Sequence, residues 1–167
     1  MRDTGPHGRR ALLRLAFGAA GLGLLPAFAA KPDAFTRIEA AFAARLRGPR
    51  ELSRALGMDR LRPGAATGAY YLQFLADAPS DMPFCALEMR LSRSRPAGIA
   101  VLSGRPGLPI TPEAVRRRYG PANWEDVRPE LPTFYLAYPR PGGSIAFGFP
   151  HGAGTLHSAV LNWGRWT

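Results

Sequence analysis

Alternate residues in the run 84–91 form one apolar set and one set that contains the polar side chains. The apolar set is Cys85, Leu87, Met89 and Leu91, and the opposite set is Ala86, Glu88, Arg90 and Ser92. This alternation is typical of an antiparallel strand with one face on a core and the other in water. The run therefore predicts a half-buried strand, with Cys85 as a small apolar core residue.

Further strands and helices are predicted by runs that glycine and proline separate. Five runs rich in apolar and aromatic residues predict strands: 70–75, 98–103, 134–138, 144–149 and 156–163. Helical spacing predicts helices over 34–46, with Asp33 as the N-cap, and over 51–57. A third helix begins after Thr111 and stops at Gly120. Residues 58–68 are expected to form a loop.

The order of these elements is a helical segment, three strands, a helix and three strands. No residue-level repeat of fixed period links the two halves, so the sequence indicates at most a pseudo-repeat. The predicted fold is α+β, an antiparallel β-sheet with helices packed on one face.

The first thirty residues have the layout of an export signal. Arg9 and Arg10 precede a weakly apolar run, and Ala27 and Ala29 supply small residues for cleavage. We therefore expect a cleavable signal over 1–29 and one α+β domain over 30–167. No stable membrane span is expected after cleavage, because the apolar run is shorter than the ~20 residues that a spanning helix needs.

The segment resembles a bacterial twin-arginine signal. The likeness lies in Gly8, Arg9, Arg10, Ala11, Leu12, Leu13 and Arg14. It implies export of a folded protein to the periplasm of a Gram-negative bacterium, with an ordinary Sec signal as the alternative. The chain carries a net charge of +10. Over residues 30–167 the net charge is +7, and in the periplasm it indicates only that anionic surroundings are tolerated. The partners compatible with this compartment are an envelope protein or an anionic polymer, and not nucleic acid.

Binding residues are predicted among the exposed aromatic and basic side chains. Tyr71 and Tyr135 have the parity of an uncovered sheet face, and Arg116 and Arg117 project from the third helix. For Arg116 and Arg117, a solvated helix face is the favoured interpretation, and contact with an anionic partner is the alternative.

Catalytic candidates are few. His151 and His157 flank a glycine-rich turn, and Asp126 is a carboxylate that the fold can bring to them. No third ligand stands at a recognised zinc spacing, so neither a metal site nor a cofactor is predicted.

The second half resembles the small periplasmic modules of the SmpA/OmlA (BamE) group and the β-lactamase inhibitory proteins. The likeness is carried by Gly107, Ile110-Thr111, Val115, Tyr119-Gly120-Pro121, Phe134-Tyr135 and residues 144–149. It implies a protein-binding or assembly module. The alternatives are a small metal-dependent or histidine-based hydrolase and a carrier of a small apolar ligand.

Overall fold

The computed structural model describes residues 32–65, 71–127, 130–152 and 154–164. The predicted export signal, with Arg9, Arg10, Leu12, Leu13, Ala27 and Ala29, lies outside these ranges. The described residues form three helices, α1 (Ala34–Ala44), α2 (Pro49–Ala55) and α3 (Pro112–Tyr119). They form eight strands: β1 (Leu61–Pro63), β2 (Tyr71–Asp77), β3 (Phe84–Ser92), β4 (Gly98–Gly104), β5 (Trp124–Asp126), β6 (Thr133–Arg140), β7 (Gly143–Pro150) and β8 (Ser158–Trp163).

The eight strands form one antiparallel sheet in the order β1-β2-β3-β4-β8-β7-β6-β5. The predicted α+β class is confirmed. The prediction of three strands in each half is wrong, because each half contributes four. The additional strands, β1 and β5, have three residues each and lie at the two edges of the sheet. They are too short to show a period of two, and pairing with β2 and β6 holds them in place.

The three helices pack on one face of the sheet. Ile38 of α1, Leu52 of α2 and Val115 of α3 are buried in one cluster with alternate residues of the strands. Phe147 of β7 has its ring 6.1 Å from that of Phe35 and 5.2 Å from that of Tyr119. Such ring contacts add to the hydrophobic burial that joins the helices to the sheet.

Helix ends follow the local sequence. Asp33 Oδ1 accepts a hydrogen bond from Thr36 N at 2.7 Å, and Thr111 Oγ1 accepts one from Ala114 N at 3.2 Å, so both predicted N-caps form. The first helix ends two residues earlier than predicted, which leaves Leu46 66% exposed.

Arg45 joins the end of α1 to the turn between β6 and β7. Its guanidinium donates to the carbonyl oxygens of Phe42 and Pro141, each at 2.6 Å. Burial lowers the pKa of Arg45, which nonetheless stays charged because arginine titrates far above neutral pH. Arg45 thus satisfies backbone acceptors of two distant segments.

A β-bulge at the start of β3 changes the position predicted for Cys85. The register with β4 shifts between Phe84 and Ala86, so Cys85 is the extra residue. Phe84 is buried in its place, and Cys85 is only half-buried, with its Sγ 3.6 Å from the carbonyl oxygen of Ser103. Cys85 is therefore not a core residue, although the alternation beyond it is as predicted.

The two halves of the chain repeat one plan. The helix segments Pro49–Gly57 and Pro112–Gly120 align residue by residue: each begins with proline and ends at a glycine of positive φ. Leu52 and Val115 take the same buried position after the proline. Each segment is followed by a four-stranded meander, and the meanders meet at β4 and β8.

The central strands carry the same tripeptide, Ala-Val-Leu, at 100–102 and 159–161. Val101 lies directly opposite Val160, so an approximate two-fold axis normal to the sheet passes between them. The spacing between equivalent residues differs from element to element, because the loops of the two halves differ in length. No fixed period therefore appears in the sequence.

Candidate functional site

The sheet face opposite the helices is called the open face. None of the three described helices packs on it, and its residues are absent from the buried core cluster. Strand register assigns it Tyr71, Gln73, Leu75, Ala86, Glu88, Arg90, Ile99, Val101, Ser103, Trp124, Asp126, Tyr135, Ala137, Ser144, Ala146, Gly148, Ser158, Val160 and Asn162. The open face is therefore a continuous surface across the strands of both halves.

The centre of the open face is apolar and built from small side chains. Val101 and Val160 lie at the axis, and Ala146 and Ala137 continue the same row towards β5. All four are half-buried. Trp124 ends the row and is 58% exposed. Small apolar side chains let an apolar side chain of a partner approach the sheet closely.

A polar cluster lies on the open face in the first half. Glu88 Oε1 accepts hydrogen bonds from Gln73 Nε2 and from Arg90 Nε, both at 2.8 Å. The bond from Gln73 and, more weakly, the bond and charge of Arg90 lower the pKa of Glu88 despite the opposing effect of burial. The Arg90 guanidinium carbon lies 5.9 Å from the centre of the Tyr71 ring. The Tyr71 ring therefore lies next to Arg90, whose position is fixed by its hydrogen bond to Glu88.

Tyr135 covers the open face in the second half. A Cβ at Gly148 would lie 2.6 Å from the Tyr135 ring and from Ser158 Oγ, so the ring fits only because residue 148 is glycine. Beneath it, Ser158 is buried and its hydroxyl has no hydrogen-bond partner among the described residues.

The four predicted binding residues do not form one cluster. Tyr71 and Tyr135 share the open face but are five strand spacings apart, roughly 24 Å. Arg116 and Arg117 belong to α3 on the opposite side of the sheet. Arg116 Nη2 lies 3.2 Å from Glu125 Oε1 and thus joins α3 to the edge strand β5, whereas Arg117 is exposed.

The catalytic candidates gain no support from their surroundings. His151 is exposed in a turn with its ring 5.6 Å from that of Phe134, and His157 is exposed just before β8. Asp126 pairs with Tyr135 at the sheet edge. Within the described ranges, no three His, Cys, Asp or Glu side chains are grouped closely enough to hold a metal ion.

An apolar cleft of about 530 Å³ lies beside the start of α1. Its lining includes Phe35, Met82, Leu108 and Ile110. The cleft is open to solvent and not enclosed, so a ligand in it would keep part of its surface in water. None of the helices in the described part of the chain has the length and apolar character needed to cross a membrane.

The sequence does not predict that three residues of the open face, Glu88, Arg90 and Trp124, belong to the candidate site. Glu88 and Arg90 were placed on the polar side of β3, and that position is correct. Nothing in the sequence shows that Gln73 and Tyr71 of the neighbouring strand meet them. Nothing in the sequence predicts that Trp124 lies in a strand, because a strand of three residues has no recognisable pattern.

No protein-family model and no curated protein matches the chain. Among solved structures, the chain is similar to a DUF4309 family protein, YjgB, from Bacillus subtilis. The two are 13% identical over 76% of this chain and 95% of that one, with a TM-score of 0.48.

Proposed function

We propose that this protein is an exported periplasmic module that binds another protein through the open face. The observation that carries the proposal is the apolar row of Val101, Val160, Ala146 and Ala137 that Trp124 ends. An exposed apolar surface with aromatic side chains at its margin is typical of protein-binding sites.

The charge of the chain indicates which chemical class of partner suits the open face. Residues 30–167 have a net charge of +7, whereas the open face carries both Glu88 and Arg90 around an uncharged centre. A purely anionic polymer would gain little from that centre, since its attraction is electrostatic. An acidic protein with an apolar patch complements both features.

Affinity capture from an envelope extract tests this function. The purified protein is immobilised beside a variant with Trp124→Ala and Tyr135→Ala and beside the control Leu46→Ala, which alters an exposed apolar residue of the helix side. Loss of two aromatic contacts at a binding centre weakens affinity by roughly 30-fold or more. We expect one protein to be retained by wild type and control at low and at high salt, and not by the double variant.

Two results would contradict the proposal. One is capture of an anionic polymer that high salt abolishes in wild type and double variant alike. The other is a captured protein that the double variant retains as well as the wild type does.

Export is tested separately. Replacing Arg9 and Arg10 by lysine preserves the charge of the signal but removes the paired arginines that the twin-arginine route requires. We expect the variant to stay in the cytoplasmic fraction. Unchanged delivery to the periplasm would favour the Sec route.

The cleft beside α1 supports a second candidate function. Its volume of about 530 Å³ suits a small apolar ligand. Native mass spectrometry of the purified protein is the test, with Leu108→Asp as the variant that makes the lining polar. A bound small molecule that this variant loses would favour a carrier.

A further inference from the structure

We propose that Arg90 is a pre-organised binding site for a carboxylate of the partner protein, next to an apolar patch formed by Ile99 and Val101. The inference rests on the proposed function and adds the chemistry that the partner presents: an aspartate or glutamate adjoining an apolar residue.

The guanidinium of Arg90 is held from two sides. Its Nε donates to Glu88, and its plane lies near the ring of Tyr71, which faces the same way on β2. Glu88 is itself fixed by Gln73, which is 8% exposed. An arginine fixed in this way loses little side-chain entropy when it binds a carboxylate.

The binding end of Arg90 is available. Neither Nη atom has a hydrogen-bond partner in the described part of the chain, and the side chain is 50% exposed. Both Nη groups therefore remain free to donate to a planar carboxylate in the paired geometry that arginine favours. An exposed ion pair such as Arg90–Glu88 adds little to stability, so the cluster orients Arg90 more than it stabilises the fold.

The apolar patch follows from strand register. Ile99 of β4 lies directly opposite Arg90 on the open face, and Val101 lies two residues further along that strand. Both are half-buried. A partner segment that places its carboxylate on Arg90 thus brings the neighbouring side chain over these two residues.

The acidic identity of the partner agrees with the charge of the whole chain. A net charge of +7 over residues 30–167, which keep 18 of the 22 Lys and Arg and 11 of the 12 Asp and Glu, attracts acidic proteins over distance. It also disfavours a second copy of this chain as the occupant, because two such copies repel each other.

Panning a phage-displayed library of random dodecapeptides on the immobilised protein tests the inference. We expect the selected peptides to be enriched in Asp or Glu next to Leu, Ile, Phe or Trp. The affinity of a selected peptide should fall roughly tenfold or more in Arg90→Gln. It should fall several-fold in Arg90→Lys, since lysine keeps the charge but lacks the planar guanidinium with its paired N–H donors. The control Arg54→Gln alters an exposed arginine of α2 and should change affinity less than about twofold.

Salt dependence separates a carboxylate contact from a structural effect. Added salt weakens peptide binding to the wild type, and this dependence should be smaller in Arg90→Gln, whose circular dichroism spectrum should match the wild type.

The outcomes distinguish the two proposals. Peptides that lose affinity in Trp124→Ala but show no acidic enrichment or no effect of Arg90→Gln would refute the role of Arg90 and leave the open-face function standing. Panning that enriches no sequence, together with capture that retains no protein, would refute both.

Discussion

The same substitution on the two sides of the sheet measures how far the open face is exposed. Val160 lies at the centre of the open face, between Val101 and Ala146, and is half-buried. Val115 of α3 lies on the side of the sheet that the helices cover and is 0% exposed. Valine and threonine have nearly the same shape, so Val160→Thr and Val115→Thr each replace a methyl group by a hydroxyl without creating a cavity.

The expected magnitudes differ because only one hydroxyl is removed from water. A buried hydroxyl without a partner costs about 1–3 kcal/mol, so Val115→Thr should lower the free energy of unfolding by about 2 kcal/mol. Threonine suits a strand as well as valine does, and Val160→Thr should change stability by less than ~0.5 kcal/mol.

Urea denaturation followed by tryptophan fluorescence measures the difference. With a slope of about 2 kcal/mol per molar urea, the midpoint of Val115→Thr should fall by about 1 M and that of Val160→Thr should hardly move. An equal loss in both variants would refute the reasoning, since it would mean that Val160 is covered as fully as Val115.

Three further predictions concern the fold. Arg45→Ala removes two hydrogen bonds, one to Phe42 within α1 and one to Pro141 in the β6–β7 turn, and should lower the free energy of unfolding by about 2 kcal/mol. The exposed control Arg47→Ala should have little effect in the same urea assay. A Cβ at Gly143 would overlap the carbonyl oxygen of Asn162, so Gly143→Ala should cost about 3 kcal/mol, whereas Gly154→Ala meets open space and should be close to neutral by thermal unfolding. Burial and the charge of Glu39 raise the pKa of Tyr119, so the stability that its neutral form provides is complete below about pH 10 and is lost as the pH rises further. Tyr119→Phe should therefore lose less stability than wild type between about pH 9 and about pH 11.

Local patterns in the sequence predicted the elements of this fold well. Alternation identified the covered and open sides of β3, and capping residues located the starts of α1 and α3. These signals act over a few residues, so they are visible in a single sequence. The bulge at Cys85 was missed because it depends on pairing with β4, which is not encoded locally.

The pairing of strands that are far apart in the chain could not be predicted from the sequence. The junction of β4 with β8 joins residues far apart in the chain, and the repeat of the two halves is obscured because its spacing changes between elements. Only the sheet order shows that 100–102 and 159–161 are equivalent.

The candidate site was predicted in part. Parity placed Tyr71 and Tyr135 on the same face, as the register has them, but could not show that they are remote from each other. Arg116 was predicted to meet a partner, whereas its ion pair with Glu125 ties α3 to β5. Arg90 was read only as a polar residue of the alternation, because its importance depends on contacts from the neighbouring strand.

Photo-crosslinking in the living cell tests the central claim most directly. A benzophenone amino acid is placed at Val101 on the open face or at Leu46, which is exposed on the helix side. We predict that illumination joins the Val101 variant to one envelope protein and that the Leu46 variant gives no such product. Crosslinking from Leu46 alone, or from neither position, would contradict the account of the open face as a protein-binding surface.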